Sequence, residues 1–532
     1  MKKIIYGLLF ASILTLGSCD NLDLAPLDYP GAGDYWKDEA QVETFMLGLH
    51  SDLRKDFESP VKLGELRGGT FRDGTSSNGS SLSYSQIITS DLRVSNTGIK
   101  NWNEYYGKIL QVNMLISKVE KECPFLSDAS RSKYLAQAYG IRAYYYFMLY
   151  RTYGGVPLEK EVKLTNGKID LSKLYMVRSS AEETLAFVKE DIEKSVNHFG
   201  TAGNLILDRA KWSLYASLFL KAEIYMWSAK VSTNDNQGKG HKASGTEDLT
   251  TAKKALKQII NSDQFKLEEK FADVFAYDNK LNKEIILCMP FDRNEITNEY
   301  FGAYFLYQPS VFVGSYFDEN GNKLEDPLDL CGSGILRYEY KESFVKSFDK
   351  TDSRRAATFF EYYSTADQAT RKFGSAMIKL IGHAEGGVRY YDSDIIMFRY
   401  ADVLLRMAEC ENGLNKPCAE YINQIRKRAY GVNYNSAVAY NEGSYAENEL
   451  AILKERDKEF VAEGKRWFDV LRMQDENKKS LVFHAKANYA KVYGEDATPV
   501  LSENESYKQL WPIDVAVLNG DPELKQTPGY VE

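Results

Sequence analysis

The sequence contains little cysteine, histidine or proline. Its 532 residues include 6 Cys, 5 His and 13 Pro. So few cysteines, with no Cys-x-x-Cys pair among them, exclude a fold that depends on a framework of disulfide bonds. Cys410 and Cys418 lie close enough in sequence to form one disulfide, although nothing in the sequence requires it. Beyond the N-terminus, no stretch approaches the ~20 apolar residues that a membrane-spanning helix needs.

Positive charge is also in short supply. The chain carries 67 Lys and Arg against 75 Asp and Glu, a net charge of −8. This balance argues against nonspecific binding of nucleic acid, which depends on a basic surface. Hydrophobic residues make up 44% and charged residues 27%, which is the composition of a globular protein rather than of a disordered chain. We therefore expect a folded body that has no nucleic-acid partner.

The short motifs of common enzyme families are absent as well. The sequence contains no HExxH, GxSxG, P-loop or GxGxxG motif. A pair of carboxylates for glycoside hydrolysis would not be visible, because such a pair is defined by a ~5–10 Å separation in space. We therefore expect no catalytic residues and no enzymatic activity, and a surface glycan-degrading enzyme stays as an alternative.

The N-terminus has the features of a lipoprotein signal. A positive Met-Lys-Lys start and a short apolar stretch end in Leu16-Gly17-Ser18-Cys19, which resembles a bacterial lipobox. We predict a signal peptide over residues 1–18, lipidation of Cys19, a polar tether over 19–35 and a single folded body over 36–532. The alternative is an ordinary secretory signal in which the cysteine stands by chance.

Apolar residues spaced three and four apart indicate amphipathic helices in two parts of the chain, about 101–262 and about 394–475. Within the second part, two helices around a glycine turn are similar to a tetratricopeptide unit. Nine of the 37 tyrosines lie between residues 105 and 153, and their helical spacing predicts that they pack between helices. The sequence thus predicts a mostly α fold with a tetratricopeptide-like helical-repeat scaffold.

Residues of about 264–392 break the helical pattern. They are richer in Gly, Phe and Tyr, and they contain short β-like runs such as Glu284–Cys288. We predict a large irregular, loop-rich lobe with a few short strands between the two helical parts. Residues 63–100 are also loop-like. Because long structured loops in compact proteins usually carry function, both segments are candidates for a ligand-binding face.

Several sequence blocks follow one another along nearly the whole chain. After the lipobox at Cys19, the blocks are Trp102-x-x-Tyr105-Tyr106, Arg142 to Pro157, Arg399 to Glu409 with Ile422 to Arg426, Glu455 to Arg472, Leu510-Trp-Pro-Ile513, and Gln526-Thr-Pro-Gly-Tyr530. In this order they resemble the SusD/RagB family of outer-membrane nutrient-binding lipoproteins. Each block alone is weak, and the set is specific.

The resemblance implies a function and a location. Proteins of this family sit on the outer face of the outer membrane through a lipid anchor and cover a SusC-like TonB-dependent transporter. They capture oligosaccharides or, in some members, peptides, and loops outside the helical repeats form their ligand face. A pure assembly scaffold without ligand affinity is a further alternative.

The two loop segments contain side chains that suit a glycan. Aromatic rings pack against the C–H faces of sugars, and polar side chains bind their hydroxyl groups. The expected contacts are Arg67, Arg72, Asp73, Asn78 and Tyr84 in the first loop, and Tyr300, Tyr304 and Tyr307 in the second. In the family, loops at these places face each other. Neither segment contains Trp, which favours smaller or differently shaped glycans, or peptides, over a long helical glucan.

Two further patterns allow more specific expectations. Asp318, Asn320 and Asn322 place oxygen ligands at alternate positions and form a weak candidate for Ca²⁺, although the sixth and twelfth positions depart from an EF-hand loop. The alternative is a β-hairpin turn at Asn-Gly. In the block from Glu455, acidic residues recur every four positions, at 455, 459 and 463, and Arg466 follows three residues later. This spacing predicts ion pairs within one helix.

Overall fold

The structure, a computed structural model, describes residues 35–162, 175–202, 206–234, 239–307, 314–326, 328 and 334–530. The predicted signal peptide, Cys19 and the tether up to residue 34 therefore lie outside the described residues. About 48% of the protein is helical and its strands are few and short, so the predicted fold class is confirmed. The predicted domain limits stay a prediction.

The first helical part packs consecutive helices against one another. The helices are α1 (Glu39–Lys55), α2 (Ser59–Gly64), α3 (Ser85–Ile88), α4 (Asn101–Lys121), α5 (Asp128–Tyr153), α6 (Ala181–Ala202), α7 (Leu214–Lys230) and α8 (Thr246–Ile260). Helices α4 to α8 contact each other in chain order. Ser127 caps the start of α5 through Ser130 N, and Gly154 follows its end at φ 77°, a backbone angle that favours glycine.

The tyrosines of α4 and α5 lie mostly at the contacts between neighbouring helices. Eight of the nine tyrosines from 105 to 153 are buried, and Tyr106 is half-buried. The expectation that they pack between helices is confirmed. Within the part of the chain that the structure describes, no helix is both long enough and apolar enough to cross a bilayer.

The lobe that follows is irregular. Its helices are α9 (Glu299–Phe305), α10 (Glu342–Val345) and α11 (Ser353–Thr358). Its strands form three antiparallel pairs, and the last strand leads directly into the second helical part. The strands are β1 (Ile285–Met289) with β6 (Ile395–Arg399), β2 (Phe359–Tyr363) with β3 (Phe373–Met377), and β4 (His383–Glu385) with β5 (Val388–Tyr390).

The second helical part contains α12 (Tyr400–Gly413), α13 (Ala419–Tyr430), α14 (Tyr445–Glu459) and α15 (Arg466–Arg472), and a short α16 (Val515–Gly520) lies near the C-terminus. Helix α12 contacts α8, α13 and α14, and so joins the two helical parts. Cys410 in α12 and Cys418 before α13 are buried free thiols, so no disulfide links them. Cys418 Sγ donates to Glu442 Oε1 at 3.2 Å.

The predicted intrahelical ion pairs of the Glu455 block are wrong. Helix α14 ends at Glu459, and its carboxylate is bound by Arg354, Arg399 and Arg428 from other elements. Glu463 lies beyond the helix and accepts from Arg399 Nε at 2.8 Å. Burial alone would raise the pKa of Glu459, but the three guanidinium groups hold it well below its usual range. These buried pairs join the lobe to the helices, which surface pairs within a helix would not do.

Candidate ligand-binding site

A buried carboxylate holds the first loop against the lobe. Glu339 accepts from Arg72 Nη1 at 3.0 Å, from Ser77 N at 2.8 Å and from Ser375 N at 3.3 Å. Burial raises the pKa of Glu339, and the neighbouring Arg72 opposes that shift. The backbone adds Ser83 N to Arg337 O at 2.9 Å. The loop of residues 72–83 is therefore fixed at both ends to the segment 337–339.

Four tyrosines, which we call the tyrosine cluster, meet where this loop reaches α9: Tyr84, Tyr300, Tyr304 and Tyr338. The ring of Tyr338 stacks on Tyr304 with centroids 5.1 Å apart, and it lies 6.1 Å from Tyr84. Tyr300 lies 4.7 Å from Tyr304, and its hydroxyl donates to Tyr338 Oη at 2.9 Å. Tyr84 and Tyr304 are half-buried, whereas Tyr300 and Tyr338 are buried. The two predicted loops therefore face each other across Tyr338.

Charged groups lie beside the tyrosine cluster. Lys62 Nζ is 5.3 Å from the ring centroid of Tyr84 and pairs with Glu58 at 2.6 Å. Arg337 Nη1 donates to Ser81 O at 2.7 Å, which places its guanidinium at the loop. Backbone N–H groups of Arg337 and Tyr338 both donate to Tyr304 O, at 2.7 and 2.9 Å. The aromatic surface is thus held rigidly and is flanked by hydrogen-bond donors.

Tyr84 has a strained backbone. Its φ of 56° and ψ of 34° place it in the left-handed region, which a bulky residue rarely adopts. Such strain costs of order 1–3 kcal/mol and is found mostly at functional sites. Here the conformation stands at the start of α3 and presents the ring toward Tyr338.

The remaining predicted ligand contacts differ in how accessible their side chains are. Arg72, Asp73 and Asn78 are half-buried in the first loop, and the Asn78 side chain accepts from Ser76 Oγ at 2.6 Å within a turn. Arg67, by contrast, is wholly buried between Trp467 and Trp511, and Tyr307 is 1% exposed. A ligand cannot reach either side chain without opening the interior.

Sequence reasoning missed two residues of the candidate site, Tyr338 and Lys62. Tyr338 belongs to an alternating Arg-Tyr-Glu-Tyr run, which is the pattern of an extended segment and the one signal that could have drawn attention to it. Lys62 lies in the last turn of α2, a helix whose other residues are mostly buried. Nothing in the sequence around it indicates a ligand contact.

The candidate Ca²⁺ run forms a hairpin turn. Phe317 pairs with Lys323, and Asp318 Oδ1 accepts from the backbone N–H groups of Asn320 and Asn322 at 2.9 and 2.8 Å. Asn322 Nδ2 donates to the second carboxylate oxygen at 2.9 Å. These hydrogen bonds lower the pKa of Asp318. Among the described residues, no group of three or more His, Cys, Asp or Glu is arranged to hold a metal ion.

Together, a helical-repeat scaffold and an aromatic surface on an irregular lobe define a class of ligand-binding protein. Residues 363–530 match the model of the SusD family, and residues 59–220 match a model described as starch-binding associating with outer membrane. A crystal structure of a SusD superfamily protein from Bacteroides fragilis is 36% identical, covers 93% of this chain and all of its own, and has a TM-score of 0.84. The chain belongs to the SusD/RagB family.

Two other relatives agree with this assignment. The structure of B. fragilis NanU is 31% identical, covers 95% of this chain and 100% of its own, and superimposes with a TM-score of 0.78. The SusD-like protein P38 of Formosa agariphila is 26% identical over 500 residues, which is 87% of this chain and 90% of that protein. The similarity therefore extends over both helical parts and the lobe.

Proposed function

We propose that this protein is a cell-surface lipoprotein that captures oligosaccharides or polysaccharide and delivers them to a SusC-like TonB-dependent transporter in the outer membrane. The observation that carries the proposal is the tyrosine cluster, in which two half-exposed rings stand on a rigid base beside cationic and amide side chains. The matched family model that is described as starch-binding at the outer membrane supports the same class of ligand.

The chemistry of the surface suits a sugar. The rings of Tyr84 and Tyr304 offer flat apolar area to the C–H face of a pyranose. Arg72, Asp73 and Asn78 at the loop then supply donors and acceptors for hydroxyl groups. Because two of the four rings in the tyrosine cluster are accessible, we propose a short or branched glycan stretch as the ligand. Peptides are the second candidate, because exposed aromatic and charged side chains also bind them.

The ligand test uses a panel of soluble glycans and peptides with isothermal titration calorimetry, on the wild-type protein and on the double variant Tyr84→Ala/Tyr304→Ala. We expect the variant to weaken binding of the recognised ligand about tenfold or more, since each ring contributes ~0.5–1.5 kcal/mol beyond its buried area. Tyr175→Ala is the matched control, because Tyr175 is 37% exposed on another surface next to Glu523.

Three results would contradict the proposal. Unchanged affinity in the double variant would remove the tyrosine cluster as the site. Release of products from any glycan in the panel would favour the surface enzyme. Absence of binding to every glycan and peptide, with the protein folded, would favour the assembly scaffold.

A further inference from the structure

An internal cavity of about 50 Å³ lies where both helical parts meet the lobe. Most of its lining is apolar and comes from α2, α5, β6 and α15. Six charged residues line it as well: the cations Arg151, Arg406 and Lys465, and the carboxylates Glu223, Glu463 and Asp469. A cavity needs ~10–15 Å³ to hold one water molecule, so this space accommodates a few waters or one small ion.

The charged side chains at the cavity are linked to each other. Glu223 Oε1 pairs with Arg151 Nη1 at 2.7 Å and with Arg406 Nη2 at 3.2 Å. Arg406 Nε lies 3.0 Å from Asp402, which also lies 3.4 Å from Lys465 Nζ. From Asp402 the network continues as a series of ion pairs, in which each residue pairs with the next: Arg456, Asp469, Arg472, Glu409, Lys230 and Glu449.

The network has more hydrogen-bond donors than acceptors. Its buried atoms without a hydrogen-bond partner include five nitrogens and a single oxygen, Asp402 Oδ2. Three of the nitrogens belong to residues that line the cavity: Arg151 Nε, Arg406 Nη1, and Arg406 Nε, which forms an ion pair with Asp402 but is not aligned for a hydrogen bond. The other two, Arg456 Nη2 and Arg472 Nη1, lie elsewhere in the network. Unpartnered buried polar atoms each cost ~1–3 kcal/mol, so the site favours an occupant that accepts hydrogen bonds.

The network also has more positive than negative charge. It contains six cations (Lys230, Arg151, Arg406, Arg456, Lys465 and Arg472) and five carboxylates (Glu223, Asp402, Glu409, Glu449 and Asp469). Every member is buried apart from Lys465, whose side chain is 11% exposed. An uncompensated charge in the interior is costly.

The neighbouring buried network does not supply the missing negative charge. It joins five cations (Arg354, Lys379, Arg399, Arg426 and Arg428) to five carboxylates (Glu284, Asp352, Glu455, Glu459 and Glu463). Glu463 lines the cavity, but its two oxygens are bound by Arg399 and Lys379. Within these two networks, the sixth cation of the first therefore has no carboxylate to balance it.

We propose that this cavity binds one monovalent inorganic anion of halide size, such as chloride, with Arg406 and Arg151 as its donors. A single negative charge neutralises the network, whereas a divalent oxyanion would reverse its sign. The apolar part of the wall, which includes Met148, Phe398 and Phe468, suits a weakly hydrated ion. The bound ion would hold α5, α7 and α12 together from inside, and its binding is independent of the proposed glycan site.

The first experiment replaces chloride with bromide in crystals of the wild-type protein and records anomalous diffraction at the bromine edge. We expect an anomalous peak inside the cavity beside Arg406. Peaks confined to the protein surface, with ordered water in the cavity, would overturn the proposal. This measurement does not depend on any variant and is decisive even if the variants below fail to fold.

The second experiment measures Tm by calorimetry in sodium chloride and in sodium gluconate at equal ionic strength. We expect a saturable rise in Tm of about 1–3 °C with chloride, because an ion that binds only the folded state stabilises it. Lys465→Met and Arg406→Met each leave five cations against five carboxylates, so both should abolish the chloride dependence. Arg355→Met, which breaks a half-buried pair with Glu361 elsewhere, should retain it. Equal Tm values for the wild-type protein in both salts would count against the site.

Discussion

Arg67 shows how a residue's setting in the sequence differs from its setting in space. In the sequence it precedes two glycines in a polar loop, and that context predicted a ligand contact. In the structure its guanidinium carbon lies 4.0 Å from the ring centroid of Trp467 and 5.1 Å from that of Trp511. Burial lowers the pKa of Arg67 to about 10. Both tryptophans come some 400 residues later, so no local pattern could reveal them.

We expect Arg67→Ala to destabilise the protein by about 3 kcal/mol, because it removes a desolvated cation–π contact and leaves a cavity between two indole rings. The hydrogen bonds to Ser90 Oγ and Lys508 O are lost as well. Urea unfolding followed by tryptophan fluorescence would measure the change.

Arg93→Ala is the control for Arg67, since Arg93 forms an exposed pair with Asp91 and should contribute less than ~1 kcal/mol. The Arg67 variant, where folded, should bind the recognised glycan as tightly as the wild type. A loss of glycan affinity at unchanged stability would restore Arg67 as a ligand contact.

At the scale of elements, periodicity predicted the helices well and their ends poorly. The spacing of Glu455, Glu459 and Glu463 is helical, yet α14 stops at Glu459. The turn that follows contains Ala462 at φ 60° and Gly464 at φ 70°, and it directs Glu463 away from the helix. A single glycine in a charged segment is not enough to predict such a turn from the sequence. The reason for it is a close approach of α2, which is distant in sequence.

Gly464→Ala should be strongly destabilising. A Cβ atom at this position would lie 2.4 Å from Pro60 O, and the positive φ adds backbone strain. We expect a loss of more than ~2 kcal/mol in the free energy of unfolding. Gly48→Ala in α1 is the matched control, because no atom lies within 4 Å of its added Cβ. That change should stabilise the protein by roughly 0.5–1 kcal/mol, and equal stability of the two variants would show that the turn tolerates a side chain.

The same turn makes stability depend on pH through Glu65. Its carboxylate accepts from Ala462 N at 3.2 Å and Lys465 N at 3.3 Å, and burial raises its pKa to about 7 from 4.5. Between these two pKa values the unfolded chain has lost the proton that the folded protein keeps. Stability from this group is therefore complete below the unfolded pKa and declines as pH rises to about 7.

Thermal unfolding of the wild type and of Glu65→Gln from pH 4 to pH 8 tests this dependence. Since glutamine has the same shape and does not titrate, the difference in Tm between the two proteins should change in favour of the variant as pH rises. A difference that stays constant across this range would mean that Glu65 titrates alike in the folded and unfolded states.

At the scale of the molecule, the sequence pattern predicted the helical scaffold and the irregular lobe, because both follow from local periodicity. It named Tyr84 and Tyr304, whose rings both lie against Tyr338, and their contact with a ligand stays a prediction. It could not predict Tyr338 as the ring between them, nor the ion networks that join helices to lobe. Those depend on contacts such as Arg399 with Glu284, Glu459 and Glu463, which only the tertiary fold brings together.

The proposed role also requires that the whole molecule stay at the membrane, and this depends on Cys19, outside the described residues. We expect Cys19→Ala to move the protein from the outer-membrane fraction to the soluble fraction, because a protein without its acyl chains loses its anchor. Glycan affinity of the purified variant should be unchanged, whereas uptake of the glycan by cells should fall.

Membrane fractionation, labelling with a fatty acid and protease treatment of intact cells would measure anchoring and surface exposure separately. Cys123→Ala, which removes a buried thiol in the body, is the control and should remain anchored. If the Cys19 variant still fractionates with the outer membrane and is still labelled, the lipobox assignment is wrong. If it is released but uptake is unaffected, capture by this protein is not coupled to a transporter. Anchoring and binding are thus measured separately, and the proposed function requires both.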